Sequence, residues 1–210
     1  GTAINLVMTM IAAYPLARRN LPGKGIVTAL FMFTMLFSGG MIPGYLLIRD
    51  LHMLNTIWSL VLPGAISVYN MIIARTFIQN IPTDLEEAAK IDGCSDARYF
   101  MSIVIPLSKA VISVLALYYA VAHWNSYMDA LLYMMDTKKY PLQLLIRGIL
   151  LKNSTARMDN MTEEVYQQMK DIADLLKYAL IIVSSLPVLV LYPFAKKYFM
   201  KGVMIGAVKG

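Results

Sequence analysis

The residues best placed to do chemistry are the acids between positions 81 and 93, which read Ile81-Pro82-Thr83-Asp84-Leu85-Glu86-Glu87-Ala88-Ala89-Lys90-Ile91-Asp92-Gly93. Thr83 followed three residues later by Glu86 matches a capping box, and acids in a first helical turn suit the helix dipole. Gly93 can adopt the left-handed conformation that ends a helix. The pattern predicts an amphipathic helix of about two turns, then a glycine elbow and a second helix through 95–101 toward Pro106. Such an elbow presents Ala88 and Ala89 as a small-residue face flanked by Glu86, Glu87 and Asp92. This is the chemistry of docking. Composition alone reads it as a solvated loop helix.

A second cluster, His123-Trp124-Asn125-Ser126-Tyr127, follows Tyr118 and Tyr119. Aromatic faces with amides and hydroxyls are what a sugar site needs. An aromatic belt at a membrane interface explains the same residues. Tyr69, Asn70 and Asn5 could line a path, or hydrogen-bond between helices, which is the commoner role. His123 lacks the acidic and histidine neighbours of a metal site. The single cysteine, Cys94, excludes an internal disulfide framework. No Ser/His pair or paired acids converge by spacing within the apolar stretches, so no catalytic set emerges.

The elements that must carry these residues are apolar. The chain has 210 residues, 58% hydrophobic and 15% charged, and its mean hydropathy is +0.58. Soluble domains carry about a quarter charged residues. Positions 1–17, 25–48, 51–74, 110–128 and 178–195 contain no Asp, Glu, Lys or Arg, giving stretches of 17, 24, 24, 19 and 18 residues. A helix needs about 20 residues to cross the hydrocarbon of a bilayer, so these predict five spanning helices. The first is short and reads as a helix cut at its start. It lacks the charged region of a secretory signal. The net charge of +6 comes without a basic run interleaved with aromatics, and membrane lipid head groups explain it better than nucleic acid.

Alternate connecting segments hold 11 basic residues on one side and 8 on the other, seven of those 8 in one long segment that counts for less. Arg18-Arg19 and Lys196-Lys197 then face the cytoplasm, together with the 75–109 loop and the C-terminus. Pro43 after Gly39-Gly40, and Pro63-Gly64, predict bends that need protein or a cavity to satisfy the freed backbone. Segment 129–177 lies outside, with short interfacial helices near 130–133 and 142–146 and Pro141 in a first turn.

Glu87-Ala88-Ala89, three residues, Gly93, nine residues, then Ile103-Val104-Ile105-Pro106 resembles the EAA signature of binding-protein-dependent ABC importer permeases, with Ile105 where that signature has Leu. The resemblance implies an all-α integral membrane fold with six spans in the full chain, one of them before Gly1. It makes 1–210 the permease domain and 82–106 its cytoplasmic coupling loop. In that family the loop sits in a cleft of the ATPase. Glu86, Glu87, Ala88, Ala89, Asp92, Gly93 and Pro106 would form the coupling site, with Ala88 and Ala89 permitting close approach and Glu87 pairing with basic groups.

The run 17–24 and the ending Gly206-Ala207-Val208-Lys209-Gly210 resemble the carbohydrate, maltose-permease-like group, in which the tail (Lys209, Gly210) can reach the ATPase. Ser38-Gly39-Gly40-Met41-Ile42-Pro43 and Ala74-Arg75-Thr76-Phe77-Ile78 look most like the subgroup importing oligosaccharides from complex polysaccharides. Partners implied are a homologous second permease, an ATP-binding subunit dimer holding ATP and Mg, and an extracytoplasmic solute-binding protein. This chain would bind no cofactor. It would be a non-enzymatic subunit in a bacterial or archaeal cytoplasmic membrane. Tyr69, Asn70, Tyr119, His123, Trp124 and Asn125 remain candidates for an oligosaccharide path. A permease for amino acids or phosphate is the alternative. A secondary transporter is less consistent, since it should bury an ionisable residue at mid-membrane.

Overall fold

A computed structural model describes residues 1–155, 171–172, 174–175 and 178–190, and every regular element among them is helical. In chain order these are α1 (Thr2–Ala17), α2 (Lys24–Leu36), α3 (Met41–Asp50), α4 (Trp58–Val61), α5 (Val68–Gln79), α6 (Thr83–Ile91) and α7 (Asp96–Tyr99). A π turn (Phe100–Val104) and α8 (Ile105–Leu107) continue α7, followed by α9 (Lys109–Asn125), α10 (Met128–Tyr133) and α11 (Leu142–Thr155). A further apolar helix covers Tyr178–Val190.

The core is a three-helix seam. Met10, Ala13, Leu16 and Ala17 of α1 pack with Met71, Ala74 and Ile78 of α5 and with Val111, Leu115 and Tyr119 of α9. Each set repeats every three or four residues, which aligns it on one helical face. Ala13 and Ala74 are fully buried, so small side chains let α1 and α5 approach closely. In contrast, α2 buries no residue at all. Ile26, Leu30, Phe33 and Leu36 stay exposed, as expected of a helix whose neighbours are lipid or another chain.

Of the five stretches expected to span, the first and fourth form the continuous helices α1 and α9 over most of their length, whereas the second and third are interrupted; the fifth is described only to Val190. No single helix among the described residues is long and apolar enough to cross a membrane, whereas two bent pairs are: α2 with α3, at 112°, and Asp96–Leu107 with α9, at 78°. The first break falls at 37–40, with Gly40 at φ +89. Pro43 sits in the first turn of α3, where its missing N–H costs nothing, so the glycines and not the proline make the bend. The stretch expected as a third span is also divided. Residues 51–57 are irregular, α4 is a single turn, and α5 begins only after Pro63-Gly64, capped by the Ser67 side chain. Helix α5 then runs past Ala74, which puts Arg75 inside a helix and not at the start of a loop.

Candidate functional site

The elbow forms as a helix–glycine–helix unit. Gly93 has φ +72, its N–H donates to Lys90 O at 3.0 Å, and the Cys94 N–H donates to Ala89 O at 2.8 Å. These two bonds make a Schellman motif that satisfies carbonyls at the end of α6. No atom lies within 4 Å of where a Cβ on Gly93 would sit, so backbone strain alone sets the requirement for glycine. Gly93→Ala is expected to destabilise the elbow by about 1–2 kcal/mol, read as faster amide exchange in α6. Ser95 caps the second arm by accepting from the Arg98 N–H at 3.4 Å. Pro106 cannot donate to Ser102, and the wider π turn ends just before it.

The capping box does not form. Pro82 occupies the cap position, Thr83 is already helical, and no side chain caps α6. Glu86 is drawn away: its Oε1 lies 2.7 Å from an Arg18 guanidinium nitrogen and 2.7 Å from Lys90 Nζ. Charge-assisted bonds of this kind outweigh a bond to a neutral backbone N–H.

Nor do the two alanines share a face. Ala89 is buried in the core cluster with Tyr99 and Val104, while Ala88 is exposed. A step of one residue turns the helix by about 100°, which separates them. The outward face instead carries Asp84, Glu87, Ala88 and Asp92, together with Ile91 at 86% exposed. Glu87 makes no ion pair among the described residues.

Arg18, just beyond α1, is legible in the sequence as a sidedness signal and as part of the 17–24 run, but not as a partner of α6, and yet it organises this site. Its guanidinium reaches Glu86 of α6 at 2.7 Å and Asp96 of α7 at 2.5 Å, and it lies over the Tyr14 ring at 5.6 Å. Arg75 Nε donates to Leu16 O at 3.1 Å, and Lys24 Nζ donates to Arg18 O at 3.1 Å. Hydrogen bonds from Arg18, then from Lys90, hold the Glu86 carboxyl below the usual carboxylate range, and Arg18 does the same for Asp96. A depressed carboxyl pKa stabilises the folded state above the unfolded value, about 4.3 for Glu. That stabilisation is lost only as pH falls through the lower folded value, so the pairing persists throughout the neutral range. Beside it, Arg19, Asn20, Thr83, Glu86, Glu87 and Lys90 line a polar cleft of about 270 Å³.

The six residues considered for a substrate path do not gather in one chamber. A mostly apolar cavity of about 300 Å³ between α1, α9 and Tyr178–Val190 has His123 and Trp124 in its wall but none of the other four. Tyr119 is buried and bonded to Thr9, Asn70 is buried, and Tyr69 and Asn125 are exposed. His123 Nε2 lies 2.7 Å from Asn5 Oδ1, and Trp124 Nε1 donates to Ser184 O at 2.8 Å. These bonds are interhelical, the commoner role for such residues. Lys209 and Gly210 lie outside the described residues.

The sequence profile described as "Binding-protein-dependent transport system inner membrane component" matches residues 4–205. The polygalacturonan/rhamnogalacturonan transport system permease protein YtcP of Bacillus subtilis (strain 168) is 45% identical over 210 residues, covering 100% of this chain and 73% of that protein. Protein LplC of the same organism is 46% identical over 211 residues, with 100% and 70% covered. A bacterial ABC transporter involved in the import of the acidic polysaccharide alginate has a crystal structure that superposes with a TM-score of 0.79. That match has 29% identity and covers 94% of this chain and 71% of the other.

Proposed function

Since the chain belongs to the binding-protein-dependent transport system inner membrane components, we propose that it is the permease subunit that carries acidic oligosaccharides, released from pectin-like polysaccharides, into the cell. The observation that carries the substrate class is the 45% identity, over the full length of this chain, to a polygalacturonan/rhamnogalacturonan permease. Residues 1–210 act as one permease domain, and 82–106 as its cytoplasmic coupling loop. A homologous permease completes the pathway and covers apolar surface such as that of α2. A solute-binding protein delivers sugar from outside, and an ATPase dimer binding ATP and Mg docks on the elbow. The C-terminus lies inside.

The outward residues of α6 suit that docking. Ala88 offers no bulk, Ile91 offers an apolar contact, and Glu87 and Asp92, which make no ion pair among the described residues, offer charge to basic groups on the ATPase. A short helix held at both ends moves as a body, so closure of the ATPase can bias the permease between inward- and outward-facing states. Glu87→Arg reverses a charge at this contact and is expected to lower recovery of the ATPase with the permease at least about tenfold. Unchanged recovery and ATPase stimulation would overturn the docking assignment. For the cargo, reconstituted transporter is expected to take up oligogalacturonides in preference to neutral maltodextrins of equal length. Equal uptake of both would remove the acidic-sugar reading.

A further inference from the structure

The coupling loop has two arms, α6 and α7, joined through Gly93, and by chain connection alone only α5 and α8 would receive its motion. The structure adds a third route. Arg18 touches both arms at once, through Glu86 on α6 and Asp96 on α7. Among the described residues no other cation pairs with both. The end of α1 that carries Arg18 is itself fixed. Arg75 of α5 and Lys24 of α2 both donate to carbonyls at the end of α1, and the Arg18 guanidinium lies over the Tyr14 ring.

We propose that Arg18 is a positioning residue that sets the angle between the two arms of the elbow and passes their motion directly to α1. The proposal rests on α6 being the ATPase docking helix. It assigns different tasks to adjacent acids: Glu86 faces inward to receive Arg18, and Glu87 faces outward to the ATPase.

Exposed ion pairs generally contribute little. This one differs in two respects. The Arg18 and Glu86 side chains are only 22% and 25% exposed, with Asp96 the outer member at 64%, and one planar guanidinium joins two acids on separate helices in a fixed fork. Lysine offers a point charge and can hold one acid well, but it cannot hold both in that geometry. Helix α1 is also a sensible recipient, because its inner face forms the core seam with α5 and α9. Motion entering at Arg18 therefore reaches the centre of the bundle without passing through the Pro106 segment.

The test uses the full-length permease assembled with its partner permease and ATPases in nanodiscs, with amide exchange followed with and without vanadate-trapped nucleotide. In the wild type, trapping is expected to change exchange in α6 and in the last turn of α1 together. In Arg18→Met and in the near-isosteric Glu86→Gln, α6 still responds, while the α1 response falls by about tenfold. Arg18→Lys recovers part of it, which a purely structural loss would not show. An α1 response that is absent in the wild type, or undiminished in both neutral variants, overturns the proposal. Glu87→Arg separates the two readings. If it leaves the ATPase bound, the docking assignment fails whatever the exchange data say. If it releases the ATPase while Arg18→Met and Glu86→Gln transmit normally, only the role of Arg18 fails.

Discussion

Ala89→Glu is expected to disrupt the elbow, whereas Ala88→Glu, one residue away, leaves it folded. Ala89 is 8% exposed and packs in the main core cluster. A carboxylate there is buried in an apolar cluster, and Arg18 and Lys90 are already engaged by Glu86. Burying an unpaired charge and forcing extra volume into a packed site together cost about 3 kcal/mol or more. The helix should swing away from the core, exposing Tyr99 and Val104. At Ala88 the same side chain enters solvent and costs only a fraction of a kcal/mol.

The readouts separate the two. Ala89→Glu should raise amide exchange throughout α6 in the purified permease and lower its thermal stability. Ala88→Glu should show wild-type exchange and stability, and yet lose ATPase in co-purification, because it adds bulk and charge to the proposed docking face. If Ala88→Glu were instead the more destabilising variant, α6 would be seated in the opposite rotation.

The contrast between these two alanines marks how far the sequence could be read. The end of α6 was legible because a Schellman motif is local: Gly93 alone meets the positive φ, and its partners are Ala89 and Lys90. The start was not, because the pattern of Thr83 and Glu86 is local while the competitor, Arg18, is 68 residues away. The same distinction holds for the spans. Charge-free stretches follow from composition, and they identified the apolar parts of the chain. They carry no information on where a helix stops within them, so Gly39-Gly40 and Pro63-Gly64 registered as bends and not as full interruptions. Family membership was legible from the spacing of Glu87, Gly93 and Pro106, which survives these errors because spacing does not depend on which residues turn inward. The proposed substrate residues were least legible. Polar groups that line a path and polar groups that join helices have the same composition, and only their partners tell them apart.

Asn5 shows this most clearly, and its replacement carries the second large effect. The break at Pro63-Gly64, at the exposed edge of the seam, leaves backbone groups without helical partners. Asn5 Nδ2 donates to Gly64 O at 2.6 Å, and Asn5 Oδ1 accepts from His123 Nε2 at 2.7 Å. Three residues on, the Ser67 N–H donates to the Tyr119 hydroxyl at 3.2 Å, which also lies 2.7 Å from Thr9 Oγ1. Two polar residues of α1 and two of α9 thus hold the interrupted segment before α5. Asn5→Leu leaves the Gly64 carbonyl and the His123 ring nitrogen unpaired, at about 1–3 kcal/mol each. The expected loss of stability is therefore roughly 2–5 kcal/mol. Tyr119→Phe removes one hydroxyl and should cost about 1–3 kcal/mol. Thermal inactivation of the assembled transporter measures both. Asn5→Leu within about 0.5 kcal/mol of the wild type, the scatter of an inconsequential surface change, would show that water or lipid head groups satisfy the break instead. A sugar-contact role predicts the reverse pattern, unchanged stability with altered uptake, so one pair of measurements separates the two roles at the residue where sequence alone left both open.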